Sequence, residues 1–266
     1  FMIGTGVIAA MGAVGLVVKP FSPLLSGVFH FSQPAGFVFL TGLLCGYPMG
    51  AKTTSDFLDS GRITPEEGKY LLAISNHPSP MFVLGYVIAQ IRVIPGISQG
   101  CPLWAVAAAL YLPVIPISIL ARNCYHYKRK DYPVSDKKDS GEYPFSFDEH
   151  MMGCFETMTK IGGYIMLFSI LALYLTVFPF QTPPLVRPAL LGAVEITTGI
   201  QAIAQSVPGM TGALLIIGSA AFGGCSGIFQ TKSVLKNAGL SIRHYMLWKL
   251  MHSGLSCILF YVLVMR

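Results

Sequence analysis

Asp, Glu, Lys and Arg together make up only 11% of this 266-residue chain, against roughly a quarter in ordinary soluble domains. None of the four occurs from Phe21 to Ala51, Tyr70 to Gln90, Val93 to Ala121, Ile161 to Val186 or Ile196 to Thr231. A soluble fold of this length has no interior large enough to hide such runs. A helix of about 20 apolar residues spans a hydrocarbon core of about 30 Å, because it satisfies its own backbone groups where no water can. With 53% hydrophobic residues and a mean hydropathy of +0.61, the chain reads as an all-α, polytopic helical membrane protein.

Other absences narrow the class further. The six cysteines, Cys45, Cys101, Cys124, Cys154, Cys225 and Cys257, show no CxxC spacing and fall in or beside apolar segments, where thiols pack as small hydrophobes. Nothing in the pattern argues for a metal or another cofactor. The net charge of +6 sits in short loops rather than on one face, so it marks topology and contact with the lipid bilayer, not nucleic acid. The first residues are apolar, with no basic region or cleavage site ahead of them, and do not read as a signal peptide.

Polar breaks divide the chain into apolar segments at 1–18, 35–57, 67–91, 102–122, 151–178, 186–205, 211–236 and 244–265. Pro20 and Pro23 are expected to end the first. Thr64, Pro65 and Glu67 form a helix-start signal, with Thr64 as cap, Pro65 in the first turn and Glu67 completing a capping box. Residues 122–150 carry twelve of the thirty charged residues, including Lys128-Arg129-Lys130. This hydrophilic loop separates a first half, 1–121, from a second, 151–266, and its basic cluster favours the cytoplasmic side.

A shift of 177 residues places Gly46, Gly50, Thr54 and Leu58 on Gly223, Gly227, Thr231 and Leu235. Repeats of this kind are common in secondary transporters. If 151–178 and 186–205 both cross the membrane, or both fold as re-entrant hairpins, the halves are inverted; a mixed case would make them parallel. Inversion in this register puts loops 57–67 and 122–150 on one side and loop 236–244 on the other. It also places the partner of 151–178 before Phe1, so a native chain longer by one segment of roughly 25 residues is expected.

Four places carry polar chemistry at membrane depth. Glu195 is the only acid after Glu156. On a helix it would share a face with Thr198 and Gln201 or Gln205, beside Thr197, in a polar stripe able to meet a solute or proton. Gly46, Tyr47, Pro48 and Gly50 interrupt a helix and expose backbone groups, or else serve GxxxG packing. Gly223, Gly224, Ser226 and Gln230 form the equivalent interruption in the second half. Asn76 and His77 lie in the Pro-rich break Ser75-Asn76-His77-Pro78-Ser79-Pro80, where two prolines stop a regular helix. Lys52 and Lys232 are expected to mark helix ends.

The strings Gly46-Tyr47-Pro48-Met49-Gly50-Ala51-Lys52, Asn76-His77-Pro78-Ser79-Pro80-Met81-Phe82 and Glu195-Ile196-Thr197-Thr198-Gly199 resemble those of the YlbJ-type sporulation integral membrane proteins of endospore-forming bacteria. These belong to a wider nucleoside-recognition, or Gate-domain, group that is similar to part of the concentrative nucleoside transporters. The resemblance implies a multi-pass protein of the bacterial inner membrane or of the membrane around the forespore, acting in spore formation and moving a small solute. The resulting expectation is a transporter or permease, not an enzyme, with two inverted repeats and broken or re-entrant helices. Its partners would be a small-molecule solute and a coupling proton or cation, and homo-oligomer formation stays open. The alternative is a structural or assembly component of a sporulation membrane complex. A further expectation concerns Glu195, which could face water or pair with Lys19.

Overall fold

The structure, a computed structural model, describes residues 2–97, 101–127, 146–178, 183–235 and 239–265. The secondary structure of these residues is helical. In chain order the helices are α1 (Met2–Ala10), α2 (Val14–Gly27), α3 (Gln33–Cys45), α4 (Met49–Asp59), α5 (Pro65–Ile74), α6 (Pro80–Val93) and α7 (Leu103–Cys124). There follow α8 (Phe147–Val177), α9 (Val186–Val194), α10 (Ile196–Ser206), α11 (Gly209–Phe222), α12 (Gly224–Val234) and α13 (Ile242–Val264). The helices α7, α8, α11 with α12, and α13 are each long and apolar enough to cross a bilayer. The chain is a multi-pass integral membrane protein.

Local chemistry sets the helix starts. Thr64 accepts the Glu67 amide proton on its hydroxyl at 3.2 Å, and Pro65 opens α5. Only half of the expected capping box forms. The Glu67 carboxylate does not return to Thr64; Oε1 accepts from the Tyr127 hydroxyl at 2.8 Å and from the Ser32 amide at 3.4 Å. Glu67 is buried, and it is worth more there as an acceptor for donors from two other segments than as a second cap. Burial, followed by the charge of Glu67, pushes the Tyr127 phenol well above its ordinary pKa.

The expected span 35–57 is instead a helical hairpin. Gly46, at φ +79°, and the cis Tyr47–Pro48 peptide occupy its tip, and α3 and α4 pack side by side. Phe37 and Phe57 stack with ring centroids 5.7 Å apart. Ser32, just before α3, meets Glu67, in the first turn of α5 after the short loop from α4, so both hairpin ends lie at one end of the molecule. The segment 186–205 is also a hairpin, with Glu195 at its tip between α9 and α10. There the backbones touch: a Cβ on Gly199 would lie 2.2 Å from the Gly192 Cα. By contrast, 151–177 lies within one continuous helix, α8, with Phe178 as its cap, which gives the mixed case. The first segment, 1–18, is no single span either: α1 and α2 meet at 115° across Gly12, at φ +69°. Pro20 lies in a 3-10 turn, Lys19–Phe21, within α2, and Pro23 in the first turn of the α-helical stretch Ser22–Gly27 after it, where a missing N–H is harmless, so neither ends α2.

Cross-links fix which loops share an end. Tyr127 bonds Glu67, Ser55 donates to the Leu235 carbonyl at 3.0 Å, and the Trp248 indole donates to the Tyr125 hydroxyl at 2.8 Å. Residues 57–67, 125–127, Leu235 and 239–244 therefore lie together at one end. At the other, the Gly209 amide donates to the Pro95 carbonyl at 3.0 Å. Arg187 there donates to the carbonyls of Leu175, Thr176 and Phe178 at the end of α8. The described part of the loop expected on the far side, 239–244, thus sits beside loop 57–67, because 35–57 turns back instead of crossing. Arg62, Lys69, Lys232 and Arg243 all gather at this end, which the positive-inside rule makes cytoplasmic. Lys128-Arg129-Lys130, most of loop 122–150 and residues 236–238 lie outside the described residues.

The two hairpins open toward opposite ends, with α5–α6, α7 and α8 between them in the chain. Both tips reach the interior.

Candidate solute site

Four interruptions converge at mid-depth: the tip at Gly46–Pro48, the break at Ser75–Ser79, the tip at Glu195 and the break at Gly223. Glycine makes the convergence possible. A Cβ on Gly42 or Gly50 would lie 1.8 or 2.0 Å from the Ser75 carbonyl oxygen, and one on Gly46 2.9 Å from the Ser79 nitrogen. A Cβ on Gly223, in the left-handed region at φ +86°, would lie 3.3 Å from the Tyr47 ring, and one on Gly224 3.3 Å from the Val194 carbonyl oxygen and 3.4 Å from the Ile196 nitrogen. The break in the second half therefore links the two hairpin tips. Both readings of the Gly46–Gly50 string, interruption and close packing, hold together.

At the centre stands Lys249 of α13, a residue 2% exposed. Its ammonium donates to the Asn76 carbonyl at 3.1 Å and the Tyr47 hydroxyl at 3.3 Å, and lies 4.7 Å from the Tyr47 ring centroid. Tyr47 in turn donates to the Ala220 carbonyl at 2.7 Å. The Asn76 amide donates to Thr231 at 3.0 Å and to Tyr245 at 2.7 Å. The rings of His77 and His252 meet edge-on, centroids 5.2 Å apart. Among the described residues no carboxylate pairs with Lys249. Five buried polar atoms of this region have no hydrogen-bond partner among the described residues: Ser75 Oγ, Asn76 Oδ1, His77 Nδ1, His252 Nδ1 and Ser256 Oγ. A cavity of about 240 Å³ lies on the cytoplasmic side, lined by Lys69, Tyr125, Ser241, His244, Tyr245 and Trp248 among others. Tyr245 belongs to both the cavity wall and the Asn76 network.

The expected residues divide accordingly. Tyr47 and Asn76 bond Lys249 and His77 follows Asn76, while Gly223 lies by the Tyr47 ring and Gly46, Pro48, Gly50 and Gly224 shape the backbone around them. Ser226 and Gln230 bond each other at 2.9 Å within α12 and do not join the Lys249 network. Glu195 is not part of a helical stripe. Its backbone is extended (φ −140°, ψ 122°), and its buried carboxylate caps α10, accepting from the Thr197 amide and hydroxyl and the Thr198 amide. An acid at a helix N-terminus meets free amides and the positive end of the dipole, which serves Glu195 without a lysine. Lys19 is exposed and makes no ion pair with it among the described residues. The exposed stripe on α10 runs instead through Thr197, Gln201 and Gln205.

Lys249, Tyr245 and His252 were not singled out from sequence. The signal was present for Lys249, the only Lys or Arg between Arg243 and Arg266. The rule that marked Glu195 as a lone intramembrane charge applies to a base as well.

Comparison with known proteins agrees with the motif strings. The chain is similar to the sporulation integral membrane protein YlbJ of Bacillus subtilis (strain 168), with 24% identity over 289 residues that cover 94% of this chain and 67% of that relative. The YlbJ-type likeness extends along the chain. No family model and no solved structure matches it.

Proposed function

We propose that the chain is a permease for a small anionic solute, acting in endospore formation, with Lys249 as the group that receives the negative charge. The observation that carries this reading is a lysine buried at mid-depth among neutral oxygens, without a carboxylate partner. An unpaired buried cation costs several kcal/mol. A fold retains one where it has a use for it, and an anion arriving at Lys249 would offset that cost. Two helical hairpins that enter from opposite ends and meet at broken helices support an inverted-repeat transporter. In that arrangement a shift of about 147 residues sets Pro48 on Glu195 and Asn76 on Gly223, and replaces the 177-residue register. The sporulation role follows the name of the relative.

The test is uptake by the purified chain in proteoliposomes, using radiolabelled mono- and dicarboxylates, phosphate and nucleosides. At least one anion should enter, and Lys249→Met should lower its uptake at least tenfold, the equivalent of about 1.4 kcal/mol. Lys249→Arg should retain more activity than Lys249→Met. Uptake of nucleosides but no anion, or full anion uptake by Lys249→Met, would refute the reading. No uptake of any solute would favour an assembly role.

A further inference from the structure

We propose that His77 and His252 form a one-proton site whose occupancy is tied to the charge at Lys249, so that a proton accompanies the anion. This rests on the reading of Lys249 as the anion-receiving group. The Nε2 of His77 lies against the Ile74 carbonyl and that of His252 against the Leu110 carbonyl at 2.8 Å. A carbonyl only accepts, so each Nε2 carries the hydrogen. The neutral rings then present Nδ1 as a bare acceptor, and both Nδ1 atoms are buried without a partner. Three oxygens share that condition. Ser75 and Asn76 directly precede His77, and Ser256 lies one turn beyond His252. A proton on either Nδ1 turns an orphaned acceptor into a donor, on residues whose chain neighbours carry orphaned oxygens.

The rings are too close for both to be charged. At 5.2 Å between centroids, in an interior of low dielectric, a second proton is repelled by the first. The same repulsion comes from Lys249, one turn from His252 on α13 and bonded to the carbonyl of Asn76, next to His77. The other titratable groups facing the pair are Tyr245 on α13, Tyr47 at the hairpin tip and Tyr111 on α7, whose hydroxyl donates to the Pro78 carbonyl at 2.9 Å. From α3 the Phe39 ring meets His77, centroids 6.3 Å apart. Among the described residues no carboxylate contacts either imidazole. The pair therefore stays neutral while Lys249 is charged and uncompensated. It takes one proton from solvent when an anion neutralises Lys249. Linkage makes the effect reciprocal, so the proton tightens anion binding by the same factor.

The experiment is a titration of the full chain, labelled with ¹⁵N-histidine and held in nanodiscs. The Nδ1 signals, assigned with His77→Gln and His252→Gln, are followed from about pH 8 to about pH 4.5. The variant Lys249→Met stands for the neutralised lysine, and its pair should take up one proton with a midpoint at least about one pH unit above that of the wild type. Adding His77→Gln or His252→Gln to it should leave the count at one. Uptake of two protons by the pair, an unchanged midpoint, or no titration in either protein would overturn the proposal. Should Lys249→Met not fold, the wild type is titrated with and without the anion transported in proteoliposomes. The anion should raise the midpoint, and an unmoved pair overturns the proposal. Failure of anion uptake with the Lys249→Met titration intact would remove the transport reading alone. An unmoved titration with anion uptake intact would remove the proton site alone.

Discussion

Gly50 faces the carbonyl of Ser75 so closely that a methyl group on its α-carbon would lie 2.0 Å from the oxygen. The contact seats hairpin α3–α4 on the break between α5 and α6, and Gly42 meets the same oxygen from the other arm. The obstacle is backbone rather than a movable side chain. Gly50→Ala should therefore destabilise the protein by about 1–3 kcal/mol, the range for overpacking. Gly254, whose Cβ direction is open, is the control; Gly254→Ala should be neutral or stabilising by up to about 1 kcal/mol. Thermal unfolding of both variants in one detergent provides the comparison.

Glu195 spends both carboxylate oxygens on the first turn of α10. Glu195→Gln keeps one acceptor and should cost about 1 kcal/mol, and Glu195→Ala up to about 2 kcal/mol. Uptake by Glu195→Gln should keep the wild-type pH profile, because the proton is assigned elsewhere. A flattened profile would return Glu195 to the mechanism.

Ser60 and Arg243 are exposed at one end of the molecule, and Ser206 at the other. In a background without the native cysteines, Ser60→Cys and Arg243→Cys should react with an impermeant maleimide from the cytoplasmic side. Ser206→Cys should react only from the opposite side. If the first two label from different sides, α3–α4 is a span after all and the hairpin topology is wrong.

Much of the architecture is a local matter and was legible residue by residue. Long runs without charge leave only a membrane helix as a home. Pro48, Pro78 and Pro80 lack the amide a helix needs, and Gly223 adopts a left-handed backbone cheaply, so the places where helices stop could be read in advance. So could the start of α5, since a Thr-Pro pair fits the first turn of a helix in any surroundings. Glu67 shows where local reading ends: the same carboxylate can close a capping box or reach a neighbouring segment, and which it does depends on Tyr127 and Ser32 being brought to it.

A break tells where a helix ends, not where the chain goes next. Gly46–Pro48 and Gly223 look alike in sequence, yet the chain turns back at the first and continues across at the second. That choice belongs to packing. Gly42 and Gly50 close on Ser75, Gly192 closes on Gly199, and these contacts join residues far apart in the chain or across a tip. The same contacts put loop 57–67 and residues 239–244 at one end, which a count of apolar segments cannot do. They also carry Lys249 to Tyr47, 202 residues away. A lone charge in an apolar helix signals function by itself, but its partners, and so its chemistry, exist only once the helices have met.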